Sequence, residues 1–224
     1  MTAHDTACEP FRVYVDFDDV LCETARALAR SLLGFNGTVV EYEDIMEFDL
    51  HKSFHLDDAE YMAFMEAAHT HDSLLAMPET PGACAALAAW KRDGIEPYVV
   101  TGRPVASADA SRAWLDAHGL RDIPVLHVDK YNRTLGSPRP DIRLYRFDQL
   151  PEFRFGIAID DAPPALRLLE RSRLCPVLVY DRPWNRRYAP LGEPPPVRAR
   201  NWTEVDAVVR RLANQPLKTS FGFP

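Results

Sequence analysis

Val13-Tyr14-Val15-Asp16-Phe17-Asp18-Asp19-Val20-Leu21 decides how the rest of the chain is read. An uncharged run stops abruptly at a cluster of carboxylates. The run shows no polar alternation, which is the pattern of a strand covered on both faces of a parallel sheet. Working outward, Pro97–Val100, Val125–Val128, Gly156–Ile159 and Val177–Tyr180 repeat it. Helical patterns lie between most of them. Ala106–His118 closes at Gly119, with Ser107 able to cap its start, and Pro163–Ser172 and Thr203–Ala213 are the others. Strand and helix in alternation predict an α/β fold with right-handed crossovers.

The first connection departs from this rhythm. About 80 residues separate the first strand from the second, where a crossover needs only ~12. Glu23–Leu33, Asp57–His69 and Gly82–Arg92 read as helices, the last opened by Thr80-Pro81 in the N-cap and N1 order and ended by Gly94. The stretch reads as a helical insertion over one edge of the sheet. The chain thus divides into a core, residues 10–22 and 95–214, and an insertion, residues 23–94. Residues 134–140 and 190–196 read as loops, and residues 215–224 as a flexible tail.

At 224 residues, of which 46% are hydrophobic and 26% charged, the chain can bury a full core and is neither disordered nor collagen-like. Its formal charge of −7 argues against broad binding to nucleic acid or anionic lipid, though not against a small anionic substrate. No apolar run has the ~18 residues of a membrane span, and the first dozen residues carry no apolar leader segment. Cys8, Cys22, Cys84 and Cys175 are scattered, which predicts free thiols and a cytoplasmic protein.

Ligands of open α/β sheets bind outside the carboxyl ends of the strands. Here those ends are followed by Asp16-Phe17-Asp18-Asp19, Thr101-Gly102-Arg103, Asp129-Lys130, Asp160-Asp161 and Asp181. One Asp after a strand is usually a turn or a helix cap. Five such ends on one sheet point to chemistry. Asp16, Asp18 and Asp160 brought together would repel one another without a cation between them. Oxygen ligands free of His and Cys favour a hard ion, so Mg²⁺ is the expected cofactor. Thr101 and Lys130 then offer a hydroxyl and an ammonium to a substrate phosphate, and Gly102 lets a backbone N–H come close.

Asp16-Phe17-Asp18-Asp19-Val20-Leu21 resembles the D-x-D-x-[TV]-[LV] motif of the haloacid dehalogenase superfamily. Val99-Val100-Thr101-Gly102-Arg103, Lys130 and Asp160-Asp161 are similar to its second, third and fourth motifs, in the right order. The resemblance spans residues 13–180. It implies a Rossmann-like core with helices on both faces and a helical cap inserted after the first strand. It also implies a Mg²⁺-dependent phosphatase in which Asp16 is the nucleophile and Asp18 the general acid/base. Thr101, Gly102 and Lys130 hold the phosphoryl group. Asp16, the Asp18 carbonyl and Asp160 bind the metal, with Asp161 behind them. The second Asp of the first motif favours phosphoryl over dehalogenase chemistry. A finer similarity, to the 5′(3′)-deoxyribonucleotidase-like group, rests on Leu74–Ala83, Val128-Asp129-Lys130 and Tyr180–Asn185. It implies a nucleoside 5′-monophosphate as substrate. Two departures stand out: Gly102-Arg103 where Ser follows Thr in that group, and Asp19 where many relatives carry Gly. Alternatives are a sugar-phosphate or nucleic-acid-end phosphatase, or a phosphate-binding protein without catalysis.

Other candidates have plainer readings. His51, His55, His69 and His71 lack the further ligands of a metal site and read as solvated. Phe48, Phe54, Tyr61 and Phe64 could stack on a base, though apolar residues at helical spacing are more often core. Arg103 could bind substrate phosphate or pair with a nearby Asp. Arg186 and Arg187 read as a solvated pair, and Trp90 and Trp114 as core.

Overall fold

The computed structural model describes residues 9–131, 139–192 and 195–214. Seven strands form one parallel sheet: β1 (Phe11–Val15), β2 (Ile95–Thr101), β3 (Val125–Asp129), β4 (Leu144–Arg146), β5 (Phe155–Asp160), β6 (Val177–Tyr180) and β7 (Val197–Ala199). Their order is β4-β3-β2-β1-β5-β6-β7. The chain therefore winds outward from β1 in one direction, then returns to β1 and winds the other way. The carboxyl ends of β1 and β5, which pair with Val13 opposite Ile157, border the resulting crevice.

β1 explains why both faces are buried. Val13 and Val15 belong to one apolar cluster with Val99, Ile157, Ile159 and Leu178. Tyr14, between them, belongs to the other, with Val100, Leu126, Ala158 and Val179. Helix α7 (Pro163–Ser172) packs on β5 and β6, and α8 (Trp202–Ala213) on β5 and β7. β4 and β7 have no counterpart in the sequence reading. Each has three residues, with an exposed Arg in each, and such short edge strands bury too little to leave an apolar run.

Between β1 and β2 lie α1 (Thr24–Asn36), α2 (Leu50–Phe54), α3 (Asp58–Ala68), α4 (His71–Leu75) and α5 (Ala83–Arg92). A sixth helix, α6 (Ala108–Ala117), follows β2. α5, grouped with the insertion on sequence, packs on β2 and α8 in the sheet's own helical layer. The chain leaves and re-enters the core through two antiparallel segments joined by Glu23 N–H to Pro78 O (2.9 Å) and Thr80 N–H to Leu21 O (2.8 Å). Two caps differ from expectation. Gly82, not Thr80, is the residue before α5, with φ +85°, and the Glu79 carboxylate accepts the Cys84 N–H at 2.9 Å. Ser107 does not cap α6; its hydroxyl donates to Pro104 O at 2.7 Å.

Trp90 and Trp114 are core, as read. Cys22, Cys84 and Cys175 are free thiols, and Cys8 lies outside the described residues. So do the tail and parts of both loops. Among the described residues no helix is long and apolar enough to cross a membrane.

Candidate active site

The carboxyl ends of β1, β3 and β5 converge. Asp16, one residue past β1, anchors its backbone N–H on Ile159 O at 2.9 Å, and its Oδ1 accepts the Phe17 N–H at 2.7 Å. Lys130, one residue past β3, donates through Nζ to Asp16 Oδ1 at 2.8 Å and to Asp160 Oδ2 at 3.0 Å. The Tyr14 hydroxyl donates to the same Asp160 oxygen at 3.0 Å. Asp160 Oδ1 accepts the Ala162 N–H at 3.0 Å. Asp161 is held from behind: Trp184 Nε1 donates to its Oδ2 at 2.8 Å, and Asn185 Nδ2 to its carbonyl at 2.8 Å.

Carboxylate oxygens of Asp16, Asp160 and Asp161 lie within 4.8 Å of one another, all buried. Three carboxylates against one ammonium leave two negative charges in a dry place. Burial first, and Asp160 second, push the Asp16 carboxyl well above its ordinary range, with Lys130 opposing. Asp161 is likewise pushed up by burial and by Asp19, Asp16 and Asp160. Burial lowers the Lys130 ammonium, but Asp16 and Asp160 outweigh it and raise it. This all-oxygen donor set with its charge deficit fits Mg²⁺.

Asp18 belongs to a different set of contacts. Arg103 Nε donates to both its oxygens (3.1 and 3.0 Å), Arg103 Nη2 to Oδ1 at 2.7 Å, and the Thr24 hydroxyl to Oδ1 at 2.6 Å. Burial raises its carboxyl, yet the Arg103 charge and these hydrogen bonds win and hold it below the usual range. A general acid at neutral pH needs the opposite shift, so this arrangement suits the base half of the expected role. Of the two options left open for Arg103, the structure takes the ion pair.

The phosphate-binding candidates fall at one rim. Thr101 is fully buried at the end of β2, and its hydroxyl accepts the Arg103 N–H at 3.0 Å. Gly102 packs under Tyr131: a Cβ there would sit 2.6 Å from the Tyr131 ring and 3.5 Å from Lys130 Cδ, so no side chain fits without moving that ring. Asp181 stays out, paired with Arg198 at 2.6 Å.

Asp19 also turns inward, in a left-handed conformation with φ +56°. That backbone explains why Gly is common at such a position. Its carboxylate accepts the Ala25 N–H at 3.0 Å, at the start of α1, and its carbonyl accepts Arg182 Nε at 2.6 Å. Burial pushes its carboxyl up to about 7, against the pull of Arg182. Arg182 is itself buried and donates to Tyr42 and Thr80.

A cleft of about 500 Å³ opens beside Asp18 and Asp19. Phe48, Tyr61 and Met65 of the insertion line it together with Tyr131 and Trp184 of the core, and the Phe48 and Tyr131 rings lie 5.8 Å apart. Phe54 and Phe64, the other two stacking candidates, are core residues, 0% and 1% exposed. His69 lines the cleft; His51 pairs with Asp58 at 3.5 Å and stacks on Tyr61. The only metal-sized group among the described residues is the aspartate one. Arg186 is not merely solvated: it pairs with Glu43 of the insertion at 2.8 Å. Sequence reasoning missed Tyr14, Thr24, Tyr131 and Arg182. Tyr14 hides in an apolar run, Thr24 and Tyr131 carry no motif, and Arg182 sits in the Tyr180–Asn185 stretch with nothing to mark it as a partner of Asp19.

Solved structures similar to this chain include a predicted phosphoglycolate phosphatase from Haemophilus somnus, 16% identical, TM-score 0.55, over 89% of this chain and 97% of that one. A HAD-superfamily hydrolase of subfamily IA from Geobacter sulfurreducens is 16% identical, TM-score 0.54, over 89% and 96%. A predicted phosphatase from Clostridium acetobutylicum is 12% identical, TM-score 0.58, over 90% and 99%. The fold is that of the haloacid dehalogenase superfamily. No protein-family model and no curated protein matches the sequence. In this parallel sheet the carboxyl ends of β1, β2, β3 and β5 share one rim, which is where Asp16, Thr101, Lys130 and Asp160 stand. None of the solved structures named speaks for the deoxyribonucleotidase-like group in particular.

Proposed function

We propose that this chain is a Mg²⁺-dependent phosphomonoesterase that hydrolyses small phosphate esters through an aspartyl-phosphate, with nucleoside 5′-monophosphates as the first substrate class. The observation that carries it is the buried Asp16–Lys130–Asp160–Asp161 cluster next to an aromatic cleft. Asp16, the Asp18 carbonyl and Asp160 would hold Mg²⁺, with Asp161 behind them, and the bound ion would neutralise the phosphoryl oxygens.

An Asp16 carboxylate oxygen attacks phosphorus, the ester P–O bond breaks, and the leaving oxygen takes a proton from Asp18, which acquires it as the negative charge of the bound ester offsets the lowering by Arg103 and Thr24. A water then attacks the phosphorus and gives its proton to Asp18, and the bond to Asp16 breaks to release inorganic phosphate. Lys130 neutralises charge on Asp16 and on the transferring group; Thr101 and the Gly102 N–H complete the phosphate contacts. Among the described residues the cleft is lined by Asp18, Asp19 and Asp49 and by no Lys or Arg. A leaving group with its own carboxylate or second phosphate meets repulsion there, whereas a nucleoside meets Phe48, Tyr61, Tyr131 and Trp184. The same lining disfavours a sugar bisphosphate.

The test is turnover of p-nitrophenyl phosphate and of a nucleoside 5′-monophosphate. Both esters should be hydrolysed with Mg²⁺ and neither in EDTA, with activity restored by added Mg²⁺. Full activity in EDTA ends this reading.

A further inference from the structure

Arg103 follows the Thr101-Gly102 pair of the second motif, yet its guanidinium reaches across to the first. Its side chain is only 5% exposed. Its plane rests on the Phe17 ring, 4.0 Å from the centroid. Nη1 donates to Ser111 Oγ of α6 at 3.1 Å. Nη2 has the sulfurs of Cys22 and Met77 at 3.5 Å besides Asp18 Oδ1 at 2.7 Å. Nε bridges the two Asp18 oxygens. Every guanidinium nitrogen has a protein partner, and both the ring beneath and the serine behind hold the group in one orientation.

The contacts are uneven across the carboxylate. Oδ1 takes Nε, Nη2 and the Thr24 hydroxyl, while Oδ2 takes Nε alone. Oδ1 is saturated, and Oδ2 is the oxygen left to exchange a proton. Asp18 is also the only one of these partners with a substantially open side chain, 34% exposed, and it lines the cleft where a leaving group would lie.

We propose that Arg103 is a positioning residue that fixes the Asp18 carboxylate, with Oδ2 its less engaged oxygen, at the mouth between phosphate site and cleft, and that it touches no substrate itself. This rests on the reading of Asp18 as the proton-transfer group. A planar fork sets both the place and the rotation of a carboxylate, which a point charge does not. Two of the contacts, Thr24 at the start of α1 and Met77 on the return segment, belong to the connections between insertion and core. The position of Asp18 is therefore set jointly by the core, through Phe17 and Ser111, and by the insertion's two roots.

A double-mutant cycle tests this in the Mg²⁺-loaded protein on a nucleoside 5′-monophosphate. The variants are Arg103→Met, Asp18→Asn and the two combined, with kcat, KM and melting temperature measured for each. Arg103→Met should lower kcat about 10²-fold with little change in KM, the scale of a misplaced catalytic group. In the Asp18→Asn background the same change should cost nothing further, because Arg103 acts only through Asp18. Arg103→Lys should fall between, and it carries the same cycle if Arg103→Met does not fold. Equal losses from Arg103→Met in both backgrounds overturn the proposal, as does a raised KM with kcat kept, which would mean contact with substrate. A wild-type protein without turnover removes the phosphatase reading itself; a working wild type with additive losses removes only the role of Arg103.

Discussion

Asp16 and Asp18 lie two positions apart and are driven in opposite directions. Asp16 faces Asp160 in a buried site and is pushed up; Asp18 faces Arg103 and Thr24 and is held down. Asp16→Asn should abolish phosphoenzyme formation for every ester. Asp18→Asn removes only proton transfer, a loss of ~10²–10⁴-fold for an alkyl ester and far less for p-nitrophenyl phosphate, whose leaving group departs unprotonated. Single-turnover phosphorylation measures this, and equal slowing for both esters would sink the assignment. Asp19 gives a stability test. Its folded value of about 7 lies above its ordinary 3.8. Wild-type folding is therefore unpenalised at this group below about pH 4 and increasingly penalised as pH rises through 7. Asparagine tolerates the left-handed backbone and still accepts the Ala25 N–H. Asp19→Asn should be more stable than wild type above pH 7, by on the order of 1–2 kcal/mol, and lose that advantage by about pH 4. Urea midpoints in EDTA across that range decide it; a constant difference contradicts the shift.

At the scale of elements, the insertion is joined to the core at one narrow place. The Cys22–Glu79 bridge and its flanking hydrogen bonds bring the two roots side by side. A short Gly-Ser linker can therefore replace residues 24–77 and leave α5 on the sheet, where it belongs. The shortened protein should still bind inorganic phosphate, while its ranking of esters collapses, because Phe48, Tyr61 and Met65 leave with the insertion. An unchanged ranking of kcat/KM across a panel of esters would show that specificity lies elsewhere. Phe54, Phe64 and Leu74 share an apolar cluster with Leu21 and Trp114, so the truncation uncovers core surface, and a charged substitution there belongs in the design.

At the scale of the whole molecule, an acidic chain concentrates carboxylates at one rim and leaves them short of positive charge. Mg²⁺ should raise the melting temperature, by the equivalent of ~2.7 kcal/mol at one hundred times its dissociation constant. The gain should grow from pH 5 to pH 8, because protons held by Asp16 and Asp161 compete with the ion at the acid end. Ca²⁺ should stabilise as well but support little turnover, since its looser shell lets Asp16 bind through both oxygens. A melting temperature indifferent to both ions would remove the metal site.

Much of this was legible in the chain. Central parallel strands are buried on both faces, so β1, β2, β3, β5 and β6 wrote themselves as apolar runs, and the rule that ligands gather at strand ends pointed to Asp16, Thr101, Lys130 and Asp160 before any coordinates. The two edge strands were silent because a strand with one partner buries little. What tertiary structure alone decided is who faces whom. Phe48 and Tyr61 reach the cleft while Phe54 and Phe64 fill the core, although all four sit in the same insertion. Arg103 spends its donors on Asp18, 85 residues away in sequence. Periodicity reports whether a side chain is buried; it carries no record of the partner, because the partner comes from a distant stretch of chain and is chosen only when the sheet has been assembled.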